Sequence, residues 1–129
     1  MERSRSIVII DDEPSVLRII QVALGGEGMA TRTAPDGEAG LELLSAEKPD
    51  YLIVDVRLPG IDGLEVARRV KSDPNLASIQ ILMISAYGEP QGHVADAFLG
   101  KPFDIDQLIE KVNALGAAQQ NGGPVSVGA

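Results

Sequence analysis

Cysteine and tryptophan are absent from this 129-residue chain, and histidine occurs once, at His93. Without cysteine there are no disulfides and no thiolate-ligated metals. One histidine cannot build a zinc centre, and any Ser-His-Asp arrangement would rest on it alone. His93 stands among Gly88, Pro90 and Gly92 and is expected to be a solvated loop residue. Aromatic residues are few, two Phe and two Tyr, so the core must be built from Val, Ile, Leu and Ala. Long apolar runs are missing too. None approaches the roughly 20 residues of a membrane span. Met1-Glu2-Arg3-Ser4-Arg5 leads into only four apolar residues, too few for a signal-peptide core, so a soluble cytoplasmic protein is expected. Basic residues are outnumbered, 11 against 19 acidic ones, for a net charge of −8. Beyond Arg3-Arg5 and Arg68-Arg69-Val70-Lys71 there is no positive cluster, which disfavours nucleic acid as a partner of this domain.

What the chain does have is a series of short apolar runs. A hydrophobic share of 44% over 129 residues suits one domain that buries roughly two-thirds of its unfolded surface. The runs at 6–11, 51–55, 80–85 and 97–100 are unbroken, and a weaker one spans Met29 to Ala34. Between them lie helical stripes. Val16, Ile19, Ile20, Ala23 and Leu24 follow Pro14 and end at Gly25-Gly26. Ala39, Leu43 and Leu44 follow a cap at Asp36 and stop before Pro49. Leu64, Ala67 and Val70 follow a capping box of Asp62 and Glu65. A second box, Asp104 with Gln107, opens a last helix with Ile105, Leu108, Ile109, Val112 and Leu115 on one face. From Ala118 the periodicity ends, so residues 1–116 read as the domain and 117–129 as a flexible tail or linker. Short unbroken strands alternating with helices predict a parallel sheet buried on both faces.

Each of the four clear strands ends in a residue that can do chemistry: Asp11-Asp12, Asp55, Ser85 and Lys101. In open parallel sheets ligands bind outside the carboxyl ends of the strands, so three carboxylates, a hydroxyl and an ammonium converge on one edge. Two carboxylates about 4 Å apart repel by roughly 4 kcal/mol at an effective dielectric near 20. A hard divalent cation with oxygen ligands removes that penalty. Lys101 and Ser85 suit phosphate oxygens. The set points to phosphoryl transfer with a carboxylate as nucleophile. Taken singly, Asp11 and Asp12 would also serve at a helix start, Asp55 in a turn, and Lys101 as a surface charge. Their coincidence at successive strand ends favours the chemical reading.

Asp11-Asp12-Glu13, then Asp55-x-x-Leu58-Pro59-x-x-Asp62-Gly63, then Ser85-Ala86, then Lys101-Pro102-Phe103 resembles the receiver domain of two-component response regulators over residues 5 to 116. The resemblance implies a flavodoxin-like α/β sandwich with a five-stranded parallel sheet in the order 2-1-3-4-5. It implies that Asp55 accepts a phosphoryl group from a phosphohistidine on a histidine kinase or phosphotransfer protein. It implies Mg²⁺ (or Mn²⁺) held by Asp12, Asp55 and the Arg57 carbonyl, with Asp11 acting through water. Lys101 would pair with the phosphoryl group, Ser85 would hydrogen-bond it and move inward, and Phe98 occupies the aromatic switch position. A cis Lys101–Pro102 bond belongs to the same expectation. Arg57 and Tyr87, each two residues past a site residue, would flank the water that attacks the acyl phosphate and so slow its loss. A downstream effector or output domain would receive the signal.

One segment departs from the family. Only eleven residues, Ala86 to Asp96, separate Ser85 from Ala97, about half a dozen fewer than is typical, and they carry no helical stripe. The helix that normally follows strand four is therefore expected to be shortened or absent. Apolar side chains of strands four and five should then be uncovered, offering a signalling or homodimer surface around 86–98 and 104–115. Three other functions fit the same residues less well. A haloacid-dehalogenase-type phosphatase would want a second acid where Arg57 stands. An FMN binder would need a Ser/Thr/Gly-rich loop where Asp11-Asp12-Glu13 stand. A pseudo-receiver, binding partners without phosphate, would have no need of so complete an acidic and basic set.

Overall fold

The computed structural model describes residues 4–122, with side chains through Ala117. The elements follow the alternation expected: β1 (Ser6–Ile10), α1 (Pro14–Gly26), β2 (Ala30–Ala34), α2 (Gly37–Glu47), β3 (Tyr51–Asp55), α3 (Gly63–Ser72), β4 (Gln80–Ser85), β5 (Ala97–Gly100) and α4 (Ile105–Gly122). All strand pairs are parallel and the sheet order is β2-β1-β3-β4-β5.

Side-chain alternation along each strand sorts the core into two layers. Ile7, Ile9, Tyr51, Ile53, Leu82, Ile84 and Leu99 face α1 and α4, meeting Ile20, Leu24, Leu108, Val112 and Leu115. Val8, Ile10, Leu52, Val54, Ile81 and Met83 face α2 and α3, meeting Leu44, Val66, Ala67 and Val70. The central strands are apolar through their interiors, Ile7–Ile10, Tyr51–Val54 and Ile81–Ile84, because both faces are covered. Edge strand β2 alternates instead, with Arg32 paired to Glu47 at the surface.

Local signals set the helix ends. Pro14 opens α1, and the Asp36 side chain accepts the Ala39 amide at 2.8 Å to start α2. The Asp104–Gln107 box is complete, each side chain accepting the other's amide, at 2.8 and 3.0 Å. The Asp62–Glu65 box is only half made. Asp62 accepts the Glu65 amide at 2.9 Å, but the Glu65 carboxylate turns to Arg68 and Arg69 instead. Charge attraction to two guanidiniums outcompetes one backbone amide.

Four expectations need correction. Ile19 is 52% exposed and Leu64 36%. A helix lying on a sheet buries a narrower face than the periodic stripe suggests, and in α3 the inward positions are Val66, Ala67 and Val70. Backbone helix continues to Gly122, past the point where side-chain periodicity ends. The expected flexibility of residues 123–129, like the reading of Met1–Arg3, lies outside the described residues. No helix stands between β4 and β5 among the described residues, as expected. Yet β4 is not uncovered, for Ile81 to Ile84 are all fully buried. The connection folds back to bring Ala95 onto the α2/α3 layer, beside Phe98 of β5.

Candidate phosphoryl-transfer and metal site

Alternation also explains which strand-end groups meet. Asp11 continues the Ile7-Ile9 series of β1, Asp55 the Tyr51-Ile53 series of β3, and Lys101 the side of Leu99. The three therefore emerge on the same side at adjacent carboxyl ends. Lys101 Nζ lies 2.9 Å from Asp11 Oδ2 and 3.1 Å from Asp55 Oδ2. The Asp11 contact is a close ion pair, and it is the contact that answers the buried Oδ2. Its other oxygen accepts the Glu13 amide at 2.9 Å, fixing the carboxylate in a tight turn.

Burial separates the acids by role. Asp11 and Asp55 are buried and Asp12 is exposed, yet one oxygen of each lies within 4.8 Å of the others. Burial pushes the Asp55 carboxyl above its ordinary value and the neighbouring Asp11 charge adds to that; Lys101 and the Arg57 backbone oppose it. For Lys101, burial pulls the ammonium down, but the Asp11 and Asp55 carboxylates outweigh it and hold the group above the usual lysine value. The donor set of three hard carboxylate oxygens, with only one ammonium at its centre, fits a divalent cation. Backbone packing positions Asp55 from below. A Cβ on Gly63 would lie 2.1 Å from the Asp55 carbonyl oxygen, so only glycine admits α3 this close.

Around the carboxylates opens a cleft whose rim includes Asp12, Glu13, Arg57, Pro59, Ala86 and Tyr87. The Arg57 guanidinium sits 4.6 Å over the Tyr87 ring, joining the β3 and β4 sides of the rim by a cation–π contact. Ser85 is buried at the end of β4 and its hydroxyl accepts the Tyr87 amide at 3.0 Å. Every strand-end residue singled out in the sequence is thus brought to this edge. Phe98 lies on the opposite layer, half-buried. The Lys101–Pro102 bond is cis.

Two residues make contacts that the sequence does not announce. Glu13 stands at the start of α1, but its side chain makes no cap and accepts from Lys101 at 3.2 Å. His93 was expected in solvent, but its side chain is only 11% exposed. Neither had a local signal beyond position, because both partners come from distant or irregular parts of the chain.

A doubly wound parallel sheet with an acidic nest, a facing lysine and a hydroxyl at its carboxyl edge places the chain in the flavodoxin-like class. The model for the response regulator receiver domain matches residues 7–113, and the chain belongs to that family. It is a receiver domain of the kind found in two-component response regulators. The chain is 35% identical over 115 residues to the DNA-binding dual master transcriptional regulator RpaA of Synechocystis, covering 84% of this chain and 48% of that protein. It therefore spans about half the length of the curated relatives it matches. A response regulator structure from Chloroflexus aurantiacus superposes with a TM-score of 0.83 at 33% identity, covering 89% of this chain and 99% of that one. The Thermotoga maritima response regulator TrrA, solved in complex with Mg²⁺ and BeF, superposes at 0.78 and 32% identity, covering 86% and 98%.

Proposed function

We propose that Asp55 accepts a phosphoryl group from a phosphohistidine of a partner kinase or phosphotransfer protein. An Asp55 carboxylate oxygen attacks phosphorus, the P–N bond breaks, the imidazole leaves and an acyl phosphate forms. The observation that carries this reading is the juxtaposition of the buried Asp55 carboxylate with both the Lys101 ammonium, at 3.1 Å, and two further carboxylates. Lys101 neutralises charge that builds on the transferred oxygens, and the Ser85 hydroxyl donates to one of them. Asp11, Asp12, Asp55 and the Arg57 carbonyl would hold Mg²⁺ (or Mn²⁺), which supplies positive charge against the phosphoryl oxygens. Arg57 and Tyr87 close the rim and restrict the water that would hydrolyse the product.

An apolar groove beside Lys101, lined by Val16, Ile19, Pro102 and Phe103, gives a phosphohistidine-bearing protein a surface to rest on. The phosphorylated domain then acts on an effector or output domain. Self-association through the 86–98 connection and α4 belongs to the same proposal, and sedimentation with and without phosphorylation tests it. Incubation with Mg²⁺ and a small acyl phosphate, read by intact mass, tests the main reading. One added phosphoryl group is expected, and none in Asp55→Asn.

A further inference from the structure

Three carboxylates meet the Lys101 ammonium, and they are not equivalent. Asp11 Oδ2 lies at 2.9 Å, Asp55 Oδ2 at 3.1 Å and Glu13 Oε1 at 3.2 Å. Asp11 is fully buried, and its second oxygen is fixed by the Glu13 amide. Asp55 is buried at the end of β3. The Glu13 side chain, by contrast, is 59% exposed. Among the described residues Lys101 is its only side-chain partner. An ammonium carries three hydrogens, so three acids are as many as it can serve.

Glu13 reaches Lys101 because nothing at its own position holds it. It stands at the N-cap of α1, where short side chains such as Asp or Ser bond the amides of the first turn. Glutamate is not among the favoured caps, and α1 has no side-chain cap. Its carboxylate turns instead to the Lys101 ammonium, across 88 residues of chain. It thereby joins the rim of the cleft that opens onto Asp55 and Lys101. A phosphoryl group entering that cleft is an anion seeking the same ammonium.

We propose that Glu13 is a positioning residue that competes with incoming phosphoryl oxygens for Lys101, and so sets how readily Asp55 is phosphorylated. This rests on the phosphoacceptor reading above. Of the three acids, Glu13 is the one that can yield. Asp11 is buried and held at both oxygens. The incoming oxygens arrive while Asp55 still holds its own donor, so the exchange falls on Glu13. What is lost is one exposed ion pair, a contact of small worth, so the competitor slows phosphorylation without preventing it. Repulsion between the Glu13 carboxylate and the phosphoryl oxygens acts in the same direction.

Two variants separate the contact from the charge. Glu13→Ala removes both. Glu13→Asp keeps the charge at the rim but draws the shorter carboxylate to the first-turn amides of α1, away from Lys101. In the metal-free protein, nuclear magnetic resonance of isotope-labelled lysine follows the Lys101 ammonium, assigned by its loss in Lys101→Arg. Its hydrogens should exchange with water about threefold faster in both variants. With Mg²⁺ saturating each protein, the initial rate of phosphorylation by a small acyl phosphate, read by intact mass, should also rise about threefold in both, the scale of one exposed ion pair. A rise confined to one variant would overturn the inference, and in Glu13→Ala alone would assign the effect to charge at the rim. Unchanged ammonium exchange, or phosphorylation that is unchanged or slower in both variants while the parent chain is still phosphorylated, would overturn this inference alone. No phosphoryl group gained by the parent chain or either variant would overturn the phosphoacceptor reading and this inference with it.

Discussion

The Lys101 ammonium lies 3.1 Å from the Asp55 carboxylate across 46 residues of chain, and the sheet order alone accounts for their meeting. Strand β3 delivers the acid, β5 the ammonium, and β4 between them delivers Ser85. The ammonium also touches Asp11 and Glu13, so one cation answers three carboxylates. This imbalance is what a divalent ion would relieve.

Mg²⁺ should therefore stabilise the fold. At a concentration 100 times its dissociation constant the gain is about 2.7 kcal/mol, an increase in Tm of several degrees for a domain of this size. Thermal unfolding with and without Mg²⁺ reads this directly. Asp12→Ala, which removes the exposed ligand candidate but no buried packing, should abolish the increase and leave the metal-free Tm nearly unchanged.

Removing the ammonium has the opposite sign. Lys101→Met leaves Asp11 and Asp55 buried and uncompensated, and should destabilise the metal-free domain by about 3 kcal/mol. Denaturant unfolding measures it. Phosphorylation from a small acyl phosphate should fall by at least about 100-fold, the rate equivalent of about 2.7 kcal/mol lost from the transition state.

The rim makes a kinetic prediction. With Arg57 stacked on Tyr87, replacing both by alanine opens the approach to the acyl phosphate. Its hydrolysis should accelerate by about tenfold, equivalent to about 1.4 kcal/mol of barrier. Decay of the phosphorylated species by intact mass checks it, and an unchanged half-life would remove both residues from rate control.

At the surface, Glu65 is held down to about 2 by its hydrogen bonds to Arg68 and Arg69. Its folded value lies below the unfolded one, so its contribution is fully present above the ordinary carboxylate value and disappears as pH falls toward 2. The carboxyl resonance of Glu65 followed by pH titration should show a midpoint near 2 that rises with added salt, since these groups are exposed.

Much of this architecture was legible in the sequence for identifiable reasons. Central strands buried on both faces have no choice but to be apolar throughout, so β1, β3 and β4 stood out, and the rule that ligands gather at carboxyl ends then located Asp11, Asp12, Asp55, Ser85 and Lys101. Edge strand β2 was fainter because Ala30 and Arg32 face solvent, which breaks the apolar run that a strand buried on both faces shows. The 86–96 connection was legible only as a missing helix. The cover of β4 on that side includes Ala95 and Phe98 packed on the α2/α3 layer, and no periodicity encodes that. Glu13 was hidden for the same reason, its partner lying 88 residues away.

Gly63 links fold and site most tightly. Adding a methyl group there forces the Asp55 backbone to move, so Gly63→Ala should lower stability and phosphorylation together, as thermal unfolding and intact mass will show.

The most direct test is chemical. Borohydride reduces an acyl phosphate to an alcohol, so treating the phosphorylated protein and sequencing its peptides by mass spectrometry identifies the acceptor. Homoserine at position 55, and at no other acid, is the expected result. Reduction at Asp11 or Asp12, or a phosphoryl group that resists borohydride and maps to Ser85, would contradict the account.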